Sequence, residues 1–127
     1  MDRAKQKSPE VDPNSLLPLT QAVFYILTSL ADGERHGYAI MQEVTATSGG
    51  VIKLGPGTLY GAIGRLLKDG LIEESDERPD PEMDDTRRRY YRLTRFGGAV
   101  LAGETKRLGD LVKLAKSTRA VREFKPA

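Results

Sequence analysis

Gly55-Pro56-Gly57-Thr58 constrains this chain more than any other stretch, because it dictates where one helix must begin. Proline suits the first turn of a helix, where its missing N–H would have no partner. Asp69-Gly70 closes the same helix. At about 100° per residue from Leu59, Ile63 falls near 40°, Leu66 near 340° and Leu67 near 80°, which is one apolar stripe. The opposite side holds Gly57, Thr58, Gly61, Arg65 and Lys68, with Tyr60 on its flank. Ala62 counts with Gly61 among the small residues expected to face outward. Such a face is shallow and carries isolated cations, so it suits close approach by something large and anionic.

The flanking segments supply the rest of a small domain. TQAVFYILTSLADG, from Thr20, is apolar almost all round and stops at Gly33, which predicts a buried helix. HGYAIMQEVTATSGG predicts a second helix, with Ile40, Met41 and Val44 on one face and Gly49-Gly50 at its end. Val51 to Leu54 is at most a short strand. LIEESDE and RRRYYRLT read as two strands joined by RPDPEMDDT, whose two prolines interrupt pairing and mark an exposed hairpin tip. Thr94 can cap a last helix running to about Val121. Gly98, Gly103 and Gly109 weaken that helix by about 1 kcal/mol each relative to alanine, so it needs something to pack on. The expected fold is mainly α with a small β-hairpin, in the order of a winged helix-turn-helix with an added C-terminal helix. Residues 1–18 form a mobile extension, 19–94 the winged domain, 95–121 a dimerisation helix and 122–127 a flexible tail.

Charge is unevenly laid out although the net charge is only +2. Glu73 to Asp85 carries eight acidic residues and one basic, whereas Arg87 to Arg95 carries five arginines and no acid. A basic block beside an acidic one points to a directed surface. There is no cysteine, and His36 is the only histidine, which excludes disulfides, thiolate metal sites and cysteine nucleophiles and makes a zinc site untenable. No metal or cofactor is expected. Ser, Thr and Asp show no nucleophile elbow around which a His36 triad would form, so the chain does not read as an enzyme. Gly55, Gly57 and Gly61 imitate a dinucleotide-binding fingerprint. The preceding run is too short for a central parallel strand, and no further βαβ units follow. The N-terminus lacks an apolar signal region and no run reaches the roughly 18 apolar residues of a membrane helix, so a cytoplasmic location is expected.

HGYAI at 36–40, PGTLYGAIGRLLKDGLI at 56–72 and RRRYYRLTRFG at 87–97 resemble the PadR family of bacterial transcriptional regulators. The resemblance runs over about residues 19 to 115. It implies a dimeric winged-helix repressor of palindromic promoter sites, and the short C-terminal helix resembles the family's small subgroup. That subgroup takes flat aromatic or drug-like effectors between its subunits. Three departures stand out. Gly61 replaces a usual proline, DDTRRRYY replaces a Gly-Arg-rich wing approach, and the chain has no tryptophan to stack on an effector.

Double-stranded DNA is therefore the expected partner. The major groove, about 12 Å wide, admits a helix whose outer face is shallow. Gly61 and Ala62 give that access, and Arg65 reaches guanine O6/N7, or a phosphate at a different docking angle. Thr58, with the N-terminal amides of its helix, holds a phosphate. Tyr60 donates its hydroxyl to a phosphate, Lys68 makes a phosphate contact and Tyr38 meets a flanking phosphate. Arg87, Arg88 and Arg89 lie at the base of the wing's return strand, with Arg87 and Arg89 on one face and Arg88 on the other. Tyr91 and Leu93 pack inward. Leu101, Leu108, Leu111, Val112 and Ala115 form the homodimer stripe, with an effector site at that interface. The competing reading is a winged helix that binds protein and not DNA.

Overall fold

The computed structural model describes residues 11–80 and 83–127, with side chains described outside 77–88. Helices α1 (Gln21–Leu30), α2 (Gly37–Thr47) and α3 (Pro56–Lys68) are followed by a hairpin of β2 (Ile72–Asp80) and β3 (Met83–Leu93). A long helix α4 (Arg95–Lys116) and a single turn α5 (Arg119–Arg122) complete the chain. Among the described residues there is one antiparallel sheet, in the order β1-β3-β2, in which β1 is only Arg35–His36. The fold is mainly helical with a small sheet, as the residue pattern implied.

The helices other than α3 begin where a side chain serves their unpaired amides. Thr20 accepts from Val23 N at 3.2 Å, His36 Nδ1 from Ala39 N at 3.2 Å, and Thr94 Oγ1 from Gly97 N at 2.9 Å. The core lies where α1, α2 and α3 meet the sheet root and the first turns of α4. Ile26, Leu27, Ile40, Val44, Leu59 and Val100 are wholly buried there. Burying such a side chain contributes about 1.5–3 kcal/mol, which outweighs the weak helix propensity of the glycine-bearing α3.

The third strand is not where the sequence placed it. Val51–Leu54 forms no strand, since Ile52 N donates to Ser48 Oγ at 2.9 Å and Val51 is 77% exposed. Instead Arg35 and His36 pair with Tyr91 and Tyr90. The hairpin is also longer than expected. β2 continues through Pro79, which sits opposite Arg87, with register shifts between Glu74 and Glu77 and between Pro79 and Asp80. Proline is tolerated because β2 is an outer strand and breaks step beside it.

Both ends of the chain differ from expectation too. Residues 13–16, assigned to a mobile extension, form a 3-10 turn that Asp12 caps through Asn14 N at 2.9 Å. Leu16, Leu17 and Leu19 pack against the core from there. The last helix breaks before Val121, at Ser117 and Thr118. Their hydroxyls bond the carbonyls of Leu114 and Ala115 at 2.7 Å, and Thr118 caps α5. No described helix is long and apolar enough to cross a membrane.

Candidate nucleic-acid interface

α3 divides cleanly into two faces. Leu59, Ala62, Ile63 and Leu66 are buried, whereas Gly57, Thr58, Gly61, Gly64, Arg65 and Lys68 are exposed. Ala62 thus belongs to the inner face and not to the outer one. Its wheel angle, about 300°, is adjacent to that of Leu66, so its methyl group lies at the edge of the stripe. Gly64 takes its place outside, a residue the sequence reading passed over.

The outer face is bare in a measurable sense. A Cβ added at Gly57 or Gly64 would meet nothing within 4 Å, and one at Gly61 would meet only Arg65 Nη1 at 3.7 Å. The Arg65 side chain therefore lies back toward the N-terminal end of α3, as helical side chains do. That end is open. Gly55 offers no side-chain cap, and Pro56 occupies the first turn. The amides of Gly57 and Thr58 belong to the first turn, whose N–H groups have no partner within the helix. Lys53, exposed in the loop before α3, adds a cation that the sequence reading had not singled out.

The wing is joined to this helix through its root. Tyr91 is buried and Leu93 half-buried, as expected. Arg89 is exposed and lies 3.8 Å from Glu74 across the hairpin. The side chains of Arg87 and Arg88 lie outside the described residues; their backbones stand opposite Pro79 and Arg78. Arg92 pairs with Glu73 at 2.8 Å and with Glu34 at 3.7 Å, fastening the hairpin to the turn after α1. Tyr38 and Tyr60 are each half-exposed on the helix-turn-helix surface. The Tyr60 ring reaches the start of α2, where its hydroxyl end sits against Gly37.

α4 changes character along its length. Leu101 is half-buried against the domain's own core. Leu108 is half-buried beside Phe24, Tyr25 and Arg107, in a cavity of about 370 Å³. From Gly109 onward every residue of the helix is exposed, including Leu111, Val112, Leu114 and Ala115. Between these stretches sits Glu104, a buried carboxylate the sequence reading missed. Its oxygens accept from Arg107 at 2.6 and 2.9 Å and from Leu19 N at 3.1 Å. The Arg107 guanidinium, and then the Leu19 amide, hold its carboxyl below the usual range against the opposing effect of burial. The only sequence signal for it was an acid on an apolar-leaning helix, which is weak.

The sequence pattern of the transcriptional regulator PadR-like family matches residues 26–103. The chain belongs to this family. A transcriptional regulator of Mycobacterium tuberculosis is 36% identical over 89 residues, which span 70% of this chain and 77% of that protein. An uncharacterized protein of a Streptomyces fradiae transposon is 37% identical over 90 residues, 71% of this chain, but the match spans only 24% of that protein. Among solved structures, a transcriptional regulator from Clostridium thermocellum superposes with a TM-score of 0.62 at 26% identity. That superposition covers 77% of this chain and 89% of the other. The PadR-like family is one of transcriptional regulators and not of enzymes.

Proposed function

We propose that this chain is a dimeric, sequence-specific DNA-binding repressor of the cytoplasm, acting on a palindromic promoter site. The observation that carries the reading is the outer face of α3, where Gly57, Gly61 and Gly64 leave the backbone bare beside exposed Thr58, Arg65 and Lys68. α3 enters the major groove with that face inward. Thr58 and the first amides of α3 bind a phosphate, favoured by the positive end of the helix dipole. Arg65 pairs with guanine O6 and N7. Lys68 and Tyr38 meet backbone phosphates. Arg87, Arg88 and Arg89 supply at least one further contact from the root of the wing.

Dimerisation places two copies of α3 one helical turn of DNA apart. The exposed apolar residues of α4, Leu111 and Val112 with Ala115, and the half-buried Leu108 supply the interface. Repression follows from occupying the promoter. The cavity beside Leu108 gives an effector a place next to that interface. A shift of about 1–2 Å between subunits is enough to spoil simultaneous fit to both half-sites.

The test is fluorescence anisotropy with duplex from the chain's own upstream region against a scrambled duplex, across a salt series. Selective binding that weakens steeply with salt is expected, the slope counting phosphate contacts. Arg65→Ala is expected to cost about 1–3 kcal/mol at one base pair. Equal weak binding to both duplexes at every salt overturns the reading in favour of a protein-binding winged helix. An Arg65→Ala variant weakened equally on all sequences makes Arg65 a phosphate contact.

A further inference from the structure

Gly37 is buried, and its φ is outside the left-handed region that Gly49, Gly50 and Gly70 occupy. Backbone conformation therefore does not require glycine there. Space does. A Cβ on residue 37 would overlap the Tyr60 hydroxyl, lie 2.7 Å from Tyr60 Cζ and lie 3.1 Å from Cε1. The far end of a half-exposed tyrosine on α3 is thus seated on the backbone at the first residue of α2.

The same point is a junction of elements. Gly37 directly follows β1, whose residues Arg35 and His36 pair with Tyr91 and Tyr90 of β3. The rings of His36 and Tyr90 meet edge to face at 5.3 Å. Tyr91 is opposite Glu74 of β2. Its hydroxyl is pushed above the usual tyrosine value, first by burial, next by Tyr60 and then by Glu74, with Arg89 opposing. The Tyr60 ring thus joins α3 to the start of α2, and β1, immediately before that point, is paired with β3 of the wing.

We propose that Tyr60 is a positioning residue whose ring, seated on Gly37 directly after β1, sets the spacing between α3 and the root of the wing. It acts through the protein rather than by giving its hydroxyl to a phosphate. This rests on the reading that α3 and the wing engage one DNA duplex together. Two elements gripping one duplex must keep a fixed separation, because misplacement of either loses contacts made by the other.

The ring is a spacer of fixed volume, so substitutions on its two sides compensate. Gly37→Ala overfills the contact and Tyr60→Leu underfills it. The double variant Gly37→Ala/Tyr60→Leu restores the total. Each single change is expected to lower the ratio of affinities for the upstream and scrambled duplexes, well below the unfolding temperature. The double variant is expected to recover at least about threefold of the loss shown by Gly37→Ala. Tyr60→Phe, which keeps the ring, holds the ratio within about twofold. Additive losses overturn the proposal, and so does a Tyr60→Phe loss as large as that of Tyr60→Leu, which would make the hydroxyl a DNA contact. Where Gly37→Ala does not fold, recovery of a folded chain by the added Tyr60→Leu supports the spacer and failure to recover sinks it. Amide exchange at Arg35 and Tyr91 separates the two readings. If wild type selects no duplex but Gly37→Ala speeds this exchange and the double variant slows it again, the spacer stands and the DNA reading falls.

Discussion

Gly97 and Gly98 are adjacent in the first turn and a half of α4, and alanine is expected to act in opposite directions at the two positions. Gly97 is buried where α4 crosses the start of the hairpin. A Cβ there would overlap the Leu71 carbonyl oxygen, lie 2.8 Å from its carbon and lie 2.9 Å from Leu93 Cδ1. The nearest obstacle is backbone, so no rotamer change relieves it. The same carbonyl accepts from Thr94 N at 3.1 Å, and Thr94 caps the helix. Moving Leu71 away therefore strains the cap as well. Overpacking of this kind costs about 1–3 kcal/mol, and the strained hydrogen bond adds about 0.5–1.5 kcal/mol. The intrinsic gain of alanine over glycine in a helix offsets only about 1 kcal/mol.

At Gly98 the sum reverses. A Cβ there would meet only Leu93 Cδ2, at 3.8 Å, an ordinary contact. The propensity gain then stands alone, at about 0.4–1 kcal/mol. Thermal unfolding followed by circular dichroism, at one fixed protein concentration because association shifts Tm, is the assay. For a domain of this size about 1 kcal/mol moves Tm by roughly 4 °C. Gly97→Ala is expected to lower Tm by about 2–14 °C, and Gly98→Ala to raise it by about 2–4 °C. Shifts of the same sign at both positions would refute the claimed approach of α4 to Leu71.

Three further outcomes follow from the same geometry. Glu104, held below its ordinary value of 4.5, stabilises the fold above the pH at which the unfolded chain titrates, and that contribution disappears as pH falls through the folded value. Tm is expected to drop steeply below about pH 4.5, and Glu104→Gln to be less stable at neutral pH with a shallower acid limb; parallel curves would refute it. Leu111→Glu places a charge on the exposed apolar part of α4, and sedimentation velocity is expected to show dimer association weakened by at least about tenfold, a result that superimposed profiles would contradict. Gly61→Ala and Gly64→Ala meet no obstacle on α3, so each is expected to raise stability by about 0.5–1 kcal/mol while lowering DNA affinity in anisotropy, and unchanged affinity would remove these glycines from the interface.

The helices and their order were legible because their signals are local. Thr20, Pro56, Asp69-Gly70 and Thr94 each mark an end through the chemistry of unpaired amides and carbonyls, and that chemistry needs no tertiary partner. The inward side of α3 was legible from period alone except at Ala62, where a small side chain at the stripe's edge gave no sign of its burial. The third strand was not legible. Arg35-His36 is too short to show alternation, and it becomes a strand only because β3 lies beside it. The apolar run at 51–54 had the composition of a strand but lacked a partner. Glu104 was hidden for a similar reason, since its ligands come from Arg107 and from an amide 85 positions away in sequence. Gly37 was visible as a letter, but the need for it arises from a ring on another helix.

Those cases share a cause that bears on the interface itself. Gly61 and Gly64 lie in the interior of a helix, where glycine costs about 1 kcal/mol relative to alanine. Some glycines of this chain answer a demand of the fold: Gly49, Gly50 and Gly70 have positive φ, and the space at Gly37 and Gly97 is taken by Tyr60 and by the Leu71 backbone, whereas Gly98 and Gly109 of α4 stand singly without either demand. Gly61 and Gly64 answer neither demand. Their φ is not positive, and the space above them is open. The fold would be more stable without them. Local rules broken at no structural advantage mark places where something outside the chain sets the residue. Here the break recurs along one helical face, next to Arg65 and at an uncapped helix start. A duplex lying against the helix accounts for the lack of side chains and for the neighbouring charge together, whereas a solvated face accounts for the charge alone.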